Sequence, residues 1–232
     1  MLFPAPPDTM AARRQNARFN EEKSLWRDGF SRVAGVDEVG RGCLAGPVFA
    51  AAVILDSNTI LAGLRDSKLL SLKARERLYD QIVGSSDWSV SEVSPAEIDQ
   101  LNIHKASLLA MRQAVMGLSP SPDYALVDGF PIPDLPFSQR AIVGGDRKCA
   151  SIAAASIVAK VTRDRLMVKL HESDSRYGFD RHKGYATSAH LEAMEIFGYS
   201  ELHRRSFRPR RLFDNGTRHK APRPLTLGAT GR

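Results

Sequence analysis

Cysteine is almost missing from this chain: Cys43 and Cys149 are the two in 232 residues. That excludes a disulfide scaffold and a four-cysteine zinc site, and it fits a reducing compartment. Long apolar runs are missing as well. No stretch approaches the roughly 18 consecutive apolar residues of a membrane span, and the opening "MLFPAPPDTMAARRQ" has no apolar segment of the kind a secretory signal carries. The expectation is a cytoplasmic protein with no membrane partner. Neither an internal repeat nor an interior linker is present, so one folded unit is expected, acting as a monomer.

An acidic excess is also lacking. Net charge is +7, and residues 203–232 hold nine Lys or Arg against one acid, so the rest of the chain is close to neutral. Such a tail can track a polyphosphate, or it can be a solvated, disordered extension. A near-neutral body means that any groove for nucleic acid must come from local arrangement. Hydrophobic residues make up 43% and charged residues 25%, enough for one well-packed core with appendages. Residues 1–30 mix Pro, Arg, Asn and Glu without periodicity and read as a flexible N-terminal arm. Residues 214–232 are rich in turn formers and read as a basic disordered tail. The folded unit is expected over 31–213.

Within it, "RVAGVDE" and "GPVFAAAVIL" predict two adjacent, largely buried strands separated by a glycine-rich turn. Ser71 predicts the cap of a helix with Leu72, Leu78, Ile82 and Val83 on or near one face. "DWSVSEVS" alternates as a strand. "PAEIDQLNIHKASLLAMRQAVMGL" reads as a short helix and then a longer one stopped at Gly117. "YALVDG" and "AIVGGD" predict two more strands, each ending at an aspartate. A long helix follows through "ASIAAASIVAKVTRDRLMVKLHE", and "TSAHLEAMEIFG" predicts a last one. Strands mixed with helices of this length give an α/β sheet with helices against it.

Three strand ends then carry acids: Asp37 with Glu38, Asp128, and Asp146. Convergence at one sheet edge is the economical explanation, but close carboxylates repel by about 4 kcal/mol per pair at an effective dielectric near 20. Cations must balance them. Hard oxygen donors without His or Cys select Mg²⁺ or Mn²⁺, and two ions match four acids. The pattern points to a phosphodiester site with two metals roughly 3.5–4 Å apart. Taken singly, Asp128 before Gly129 reads as a turn, and Asp146 ahead of a long helix as a cap. Because strand side chains alternate, Asp37 and Glu38 require a bulge or a strand end, for which Gly40 supplies the departure.

The blocks "GVDEVGRG", "GPVFAAAVIL", "GLRDSK", "LNIHKASLLAM", "LVDG", "GGD", "SIAAASIVAKVTRD", "YGF", "HKGY" and "HRRSF" follow one another as they do in bacterial ribonuclease HII, which the chain resembles from about Ser31 to Arg210. The resemblance implies a ribonuclease H-like fold, a mixed sheet flanked by helices with a small C-terminal helical portion. It implies metal-dependent hydrolysis of the RNA strand of RNA–DNA hybrids and cutting at single ribonucleotides embedded in duplex DNA, leaving 5′-phosphate and 3′-hydroxyl ends. The family's metal site falls on Asp37, Glu38, Asp128 and Asp146, its Gly-Arg-Gly loop on Gly40, Arg41 and Gly42, and its sugar-stacking tyrosine on Tyr185. In the sugar, only the 2′-hydroxyl tells RNA from DNA, and glycines let backbone groups approach it closely. Arg41 can hold the adjoining phosphate.

Ser67 with Lys68, and Ser156 with Lys160 one turn apart on the long helix, are candidates for a phosphate-backbone groove, against a plain solvated surface. Asn102 reads as a helix cap, Asp164 as a partner of Lys160 or an auxiliary acid near the metals, and His182 as a structural or substrate-flanking histidine. Leu69 stands where many relatives carry a second lysine, which weakens the groove there. A nuclease or resolvase of the same fold acting on DNA alone would not need the Gly-Arg-Gly loop with Tyr185. A noncatalytic binding module would not need four converging acids. A type-three ribonuclease H relative would carry a folded N-terminal extension, which thirty irregular residues cannot supply.

Overall fold

The computed structural model describes residues 19–57, 61–209 and 212. The basic tail expected over 214–232, and residues 1–18 of the expected arm, lie outside them. Five strands form one sheet in the order β3-β2-β1-β4-β5: β1 Val33–Val39, β2 Val48–Ile54, β3 Asp87–Val93, β4 Tyr124–Asp128 and β5 Ser138–Ile142. β1, β2 and β3 pair antiparallel, whereas β1, β4 and β5 run parallel. The helices are α1 Asn20–Arg27, α2 Leu72–Ser85, α3 Pro95–Leu101, α4 Ile103–Met116, α5 Ala150–Ser173, α6 Phe179–His182 and α7 Ser188–Phe197. Among the described residues no helix is long and apolar enough to cross a membrane.

Strand alternation sorts the core into two layers. Val48, Ala50, Ala52 and Ile54 pack with Ala106, Ala110, Met111 and Ala114 of α4 on one face. Ala51 and Val53 pack with Leu78 and Ile82 of α2 and with the alanine-rich half of α5 on the other. Helix α5 lies close over β1 because Gly35 has no side chain: a Cβ there would sit 2.0 Å from the Ser151 carbonyl carbon. The C-terminal helices close a third cluster, in which Met167, Tyr177, Phe179 and Met194 surround Leu44 and Ala45.

Most helix ends follow the sequence signals. The Ser71 hydroxyl accepts from Ala74 N–H, Asn102 Oδ1 accepts from His104 and Lys105 N–H, and Thr187 caps α7. Two expectations need correction. "AIVGGD" is not a strand ending at Asp146: β5 stops at Ile142, and Asp146 lies on a 3-10 turn, Gly145–Arg147. Nor is the arm irregular as far as residue 30. Helix α1 buries Leu25 against Val33 and Ile152, and the buried Glu22 carboxylate accepts from Ser151 N–H (2.8 Å) and Oγ (2.7 Å). A carboxylate delivered to the first turn of α5 satisfies the Ser151 amide, which Cys149, at the cap position without a capping bond, leaves open. That contact is long-range, so local periodicity does not reveal it.

Candidate active site

Asp37 sits late on β1, where the parallel ladder to β4 ends at Val36–Val127. Glu38 N–H is taken up instead by Asp37 Oδ1 at 2.7 Å. Of the two alternatives, the bulge is absent, since pairing with β2 continues through Val39–Phe49, and the strand end holds on the β4 side alone. Asp37 shares its face with Ala51 and α5, and Glu38 shares the opposite face with Ala50. Glu38 has one more methylene and can bend round the unpaired strand end. Oxygens of Asp37, Glu38 and Asp128 thereby lie within 4.8 Å of one another. Asp128, the last residue of β4, is aimed by Gly145 N–H, which donates to its Oδ1 at 2.7 Å.

Asp146 stands beside this trio rather than inside it. Its carboxylate is 4.0 Å from Lys68 Nζ and 3.9 Å from Arg147 Nε. Burial, then the charges of Asp66 and Asp128, push its pKa up. The buried Asp66 of the "GLRDSK" block caps the turn that bears Lys68, its Oδ1 accepting from Lys68 N–H at 2.9 Å.

Burial, and after it the charges of Glu38 and Asp128, hold the Asp37 carboxyl well above its ordinary range. Glu38 is raised by burial too, against the pull of Arg41, whose Nη1 lies 3.3 Å from Oε1. That contact is the one ion pair made to the trio among the described residues. One buried and two part-buried carboxylates that repel one another, with a single half-exposed arginine to offset them, are what a hard divalent cation would relieve, so the donor set fits Mg²⁺ or Mn²⁺.

The Gly-Arg-Gly loop follows directly on β1. Its frame is two fully buried arginines bonded to backbone carbonyls. Arg163 donates to Pro47 O, Lys183 O and Ala45 O at 3.0, 2.8 and 3.1 Å, and Arg204 donates to Gly46 O and Arg41 O, each at 3.0 Å. Leu44 N–H donates to Gly184 O, and Cys43 pairs with Tyr185 in an isolated antiparallel bridge. The loop and the tyrosine are therefore one registered unit. "KVTRD" and "HRRSF" contain these arginines, but nothing local in either block signals that a cation will be buried against carbonyls.

Tyr185, 38% exposed, is also held from behind by histidines. Ser200 N–H donates to His203 Nδ1 at 3.0 Å, so the His203 proton is on Nε2, 3.0 Å from His190 Nε2. His190 must then donate from Nδ1 to Tyr185 O at 2.9 Å. His182 stacks on His190 at 4.4 Å, with its nitrogens engaged by Tyr177 O and Gly184 N–H, which makes it structural. Burial pushes His190 down to about 4 and His203 down to about 3. Histidines that are neutral when folded and ordinary when unfolded contribute stability that is intact above about pH 6.5 and lost as pH falls below it, on the order of 3 kcal/mol for each by pH 4. The raised acids titrate with the opposite sign, so the histidine part is read as a difference. Urea unfolding from pH 7.5 to 5 should give a shallower loss on acidification for His203→Gln than for the wild type; parallel curves would contradict the relay.

The candidate phosphate contacts divide. The Lys68 side chain is 76% exposed, but Ser67 and Ser156 are buried and bonded to each other, Oγ to Oγ, at 2.9 Å. Ser156 also hydrogen-bonds to Asp37. Lys160 Nζ is 2.7 Å from Asp164 Oδ1 and 5.7 Å from the Tyr185 ring centroid. Asp164 pairs with Lys160 and with Arg75.

A profile of ribonuclease HII matches residues 34–209. The chain belongs to the ribonuclease HII family. It is 50% identical to ribonuclease HII of Caldicellulosiruptor bescii over 190 residues, covering 82% of this chain and 92% of that protein. Identity to the Burkholderia mallei ribonuclease HII is 55% over 184 residues, 78% and 86% of the two chains. Among solved structures it is similar to the ribonuclease HII of Archaeoglobus fulgidus, determined in complex with PCNA, with TM-score 0.66, 28% identity, and 77% and 96% of the two chains covered. Membership makes the chain a ribonuclease H, an endonuclease, of a family that uses divalent metals and acts on RNA–DNA hybrids. The mixed five-stranded sheet with flanking helices is the ribonuclease H-like fold.

Proposed function

We propose that this ribonuclease HII cuts the RNA strand of hybrids and also cuts at single ribonucleotides embedded in duplex DNA, with Asp37, Glu38, Asp128 and Asp146 holding two Mg²⁺ or Mn²⁺ ions. The observation that carries the reading is the joining of an acidic trio, a glycine loop and Tyr185 into one framed surface. Bound there, the metals would supply an activated water and stabilise the leaving oxygen, giving 5′-phosphate and 3′-hydroxyl ends. Gly40 to Gly42 bring the backbone to the 2′-hydroxyl, and Arg41 reaches the adjoining phosphate. Glu38 tethers Arg41 until a phosphate competes for it. Tyr185 packs on the neighbouring deoxyribose and disfavours a 2′-hydroxyl there. Lys68 and Lys160 are the phosphate contacts of the set, with Ser67 and Ser156 supporting them from within.

Specific activities on a duplex with one ribonucleotide, on a long RNA–DNA hybrid and on all-DNA duplex test this. The wild type should cut the first two and spare the third. Tyr185→Ala should lose more on the single ribonucleotide than on the hybrid, where many registers are available, by about tenfold, the low end of what one aromatic stacking contact on a nucleotide contributes. A ratio that stays at the wild-type value would confine Tyr185 to supporting the fold.

A further inference from the structure

Arg75 belongs to none of the blocks that carry the family resemblance, yet its guanidinium touches both ends of the candidate phosphate surface. It lies on α2 with its side chain 13% exposed. Nε donates to Ser67 O at 3.0 Å and Nη2 to Leu70 O at 3.2 Å, so one planar group holds both ends of the 3-10 turn that presents Lys68. Nη1 lies 3.8 Å from Asp164 Oδ2, and the other oxygen of that carboxylate accepts from Lys160 Nζ. Lys68 stands at Asp146, and Lys160 stands at Tyr185. A lysine in place of Arg75 could not serve three partners set around one plane.

Charge explains why the arrangement matters to a polyanion. Arg75, Asp164 and Lys160 together leave one positive charge, with Asp164 shared between two cations. Without Arg75, Asp164 would be left to Lys160 alone and would quench it, while the turn carrying Lys68 would lose both carbonyl anchors. We propose that Arg75 is a positioning residue that presents Lys68 and Lys160 to the substrate backbone as a two-point phosphate grip. The inference rests on the function proposed above.

The test uses the full chain with Mg²⁺ and a duplex holding one ribonucleotide, comparing the wild type, Arg75→Met, Arg75→Lys, Lys68→Met and the Arg75→Met/Lys68→Met double variant. Arg75→Met should raise KM about tenfold with kcat within about threefold, and flatten the log–log salt dependence of binding by about 0.7–0.9 for each phosphate that is no longer neutralised. Arg75→Lys should recover part of the KM. The double variant should lose less than the product of the single losses, because Arg75 acts through Lys68. Unchanged KM and salt slope, or fully multiplicative losses, would overturn the proposal. If Arg75→Met does not fold, Arg75→Lys decides by the same criteria. A wild type inactive on this duplex would remove the functional reading itself; an active wild type with an indifferent Arg75 variant removes only the grip.

Discussion

Asp37→Asn and Asp128→Asn should each lower cleavage by about a thousandfold or more while hybrid affinity changes by less than about threefold, the signature of an interaction needed in the transition state rather than for binding. Each substitution preserves shape and removes one charged oxygen from a trio whose oxygens lie within 4.8 Å. The phosphate and sugar contacts proposed for Arg41, Lys68 and Tyr185 would remain. A second readout separates metal loss from misfolding. Because burial and its neighbours raise the Asp37 pKa, ionised Asp37 costs stability at neutral pH without metal. Metal-free Asp37→Asn should therefore melt no lower than the wild type, and the rise in Tm on adding Mg²⁺ should shrink. Asp164→Asn should cost far less activity, since its carboxylate is engaged by Lys160 and Arg75. Equal turnover by Asp37→Asn at saturating metal would remove the trio from the reaction.

The two glycines of the loop should fail in different ways. Gly40 has φ +92°, and a Cβ there would lie 2.3 Å from Arg163 Nε, the side chain that pins the carbonyls of Ala45, Pro47 and Lys183. Gly40→Ala should cost about 2–4 kcal/mol of stability, combining left-handed strain with displacement of a buried cation, and activity should fall with it. A Cβ at Gly42 meets nothing within 4 Å. Gly42→Val should therefore fold and melt like the wild type, yet cut an embedded ribonucleotide about a hundredfold less well, because the branched side chain holds the sugar off the backbone. Denaturant melts and cleavage rates on the same preparations separate the two. Full activity in Gly42→Val would mean that the loop does not face the ribose; an unshifted melt for Gly40→Ala would mean that Arg163 does not set the loop.

The sheet and its helices were legible because strand alternation, caps at Ser71 and Asn102, and the Gly117 stop are local signals. The acids were legible as residues at expected strand ends. Their arrangement was less so: alternation demands a bulge or a strand end without deciding between them, and the end of the β4 ladder at Val36, with the length of Glu38, brings the carboxylates together. Asp146 looked like a strand end because "AIVGG" is apolar and small, although β5 begins earlier, at the polar Ser138, and stops at Ile142. What stayed hidden is held by long-range contacts: Glu22 reaching Ser151, Arg163 and Arg204 reaching carbonyls, and Arg75 reaching Asp164. In the sequence each of these is an ordinary charged residue in a helix or loop, and only the tertiary fold gives it a partner.

The most direct measurement is cleavage of a duplex carrying one ribonucleotide by protein first stripped with EDTA, with Mg²⁺ or Mn²⁺ then added back and both product ends identified. The account predicts no cutting without the ion, restored cutting at the ribonucleotide with it, and 5′-phosphate and 3′-hydroxyl ends. Cutting that persists in EDTA, or equal cutting of the all-DNA duplex, would contradict it.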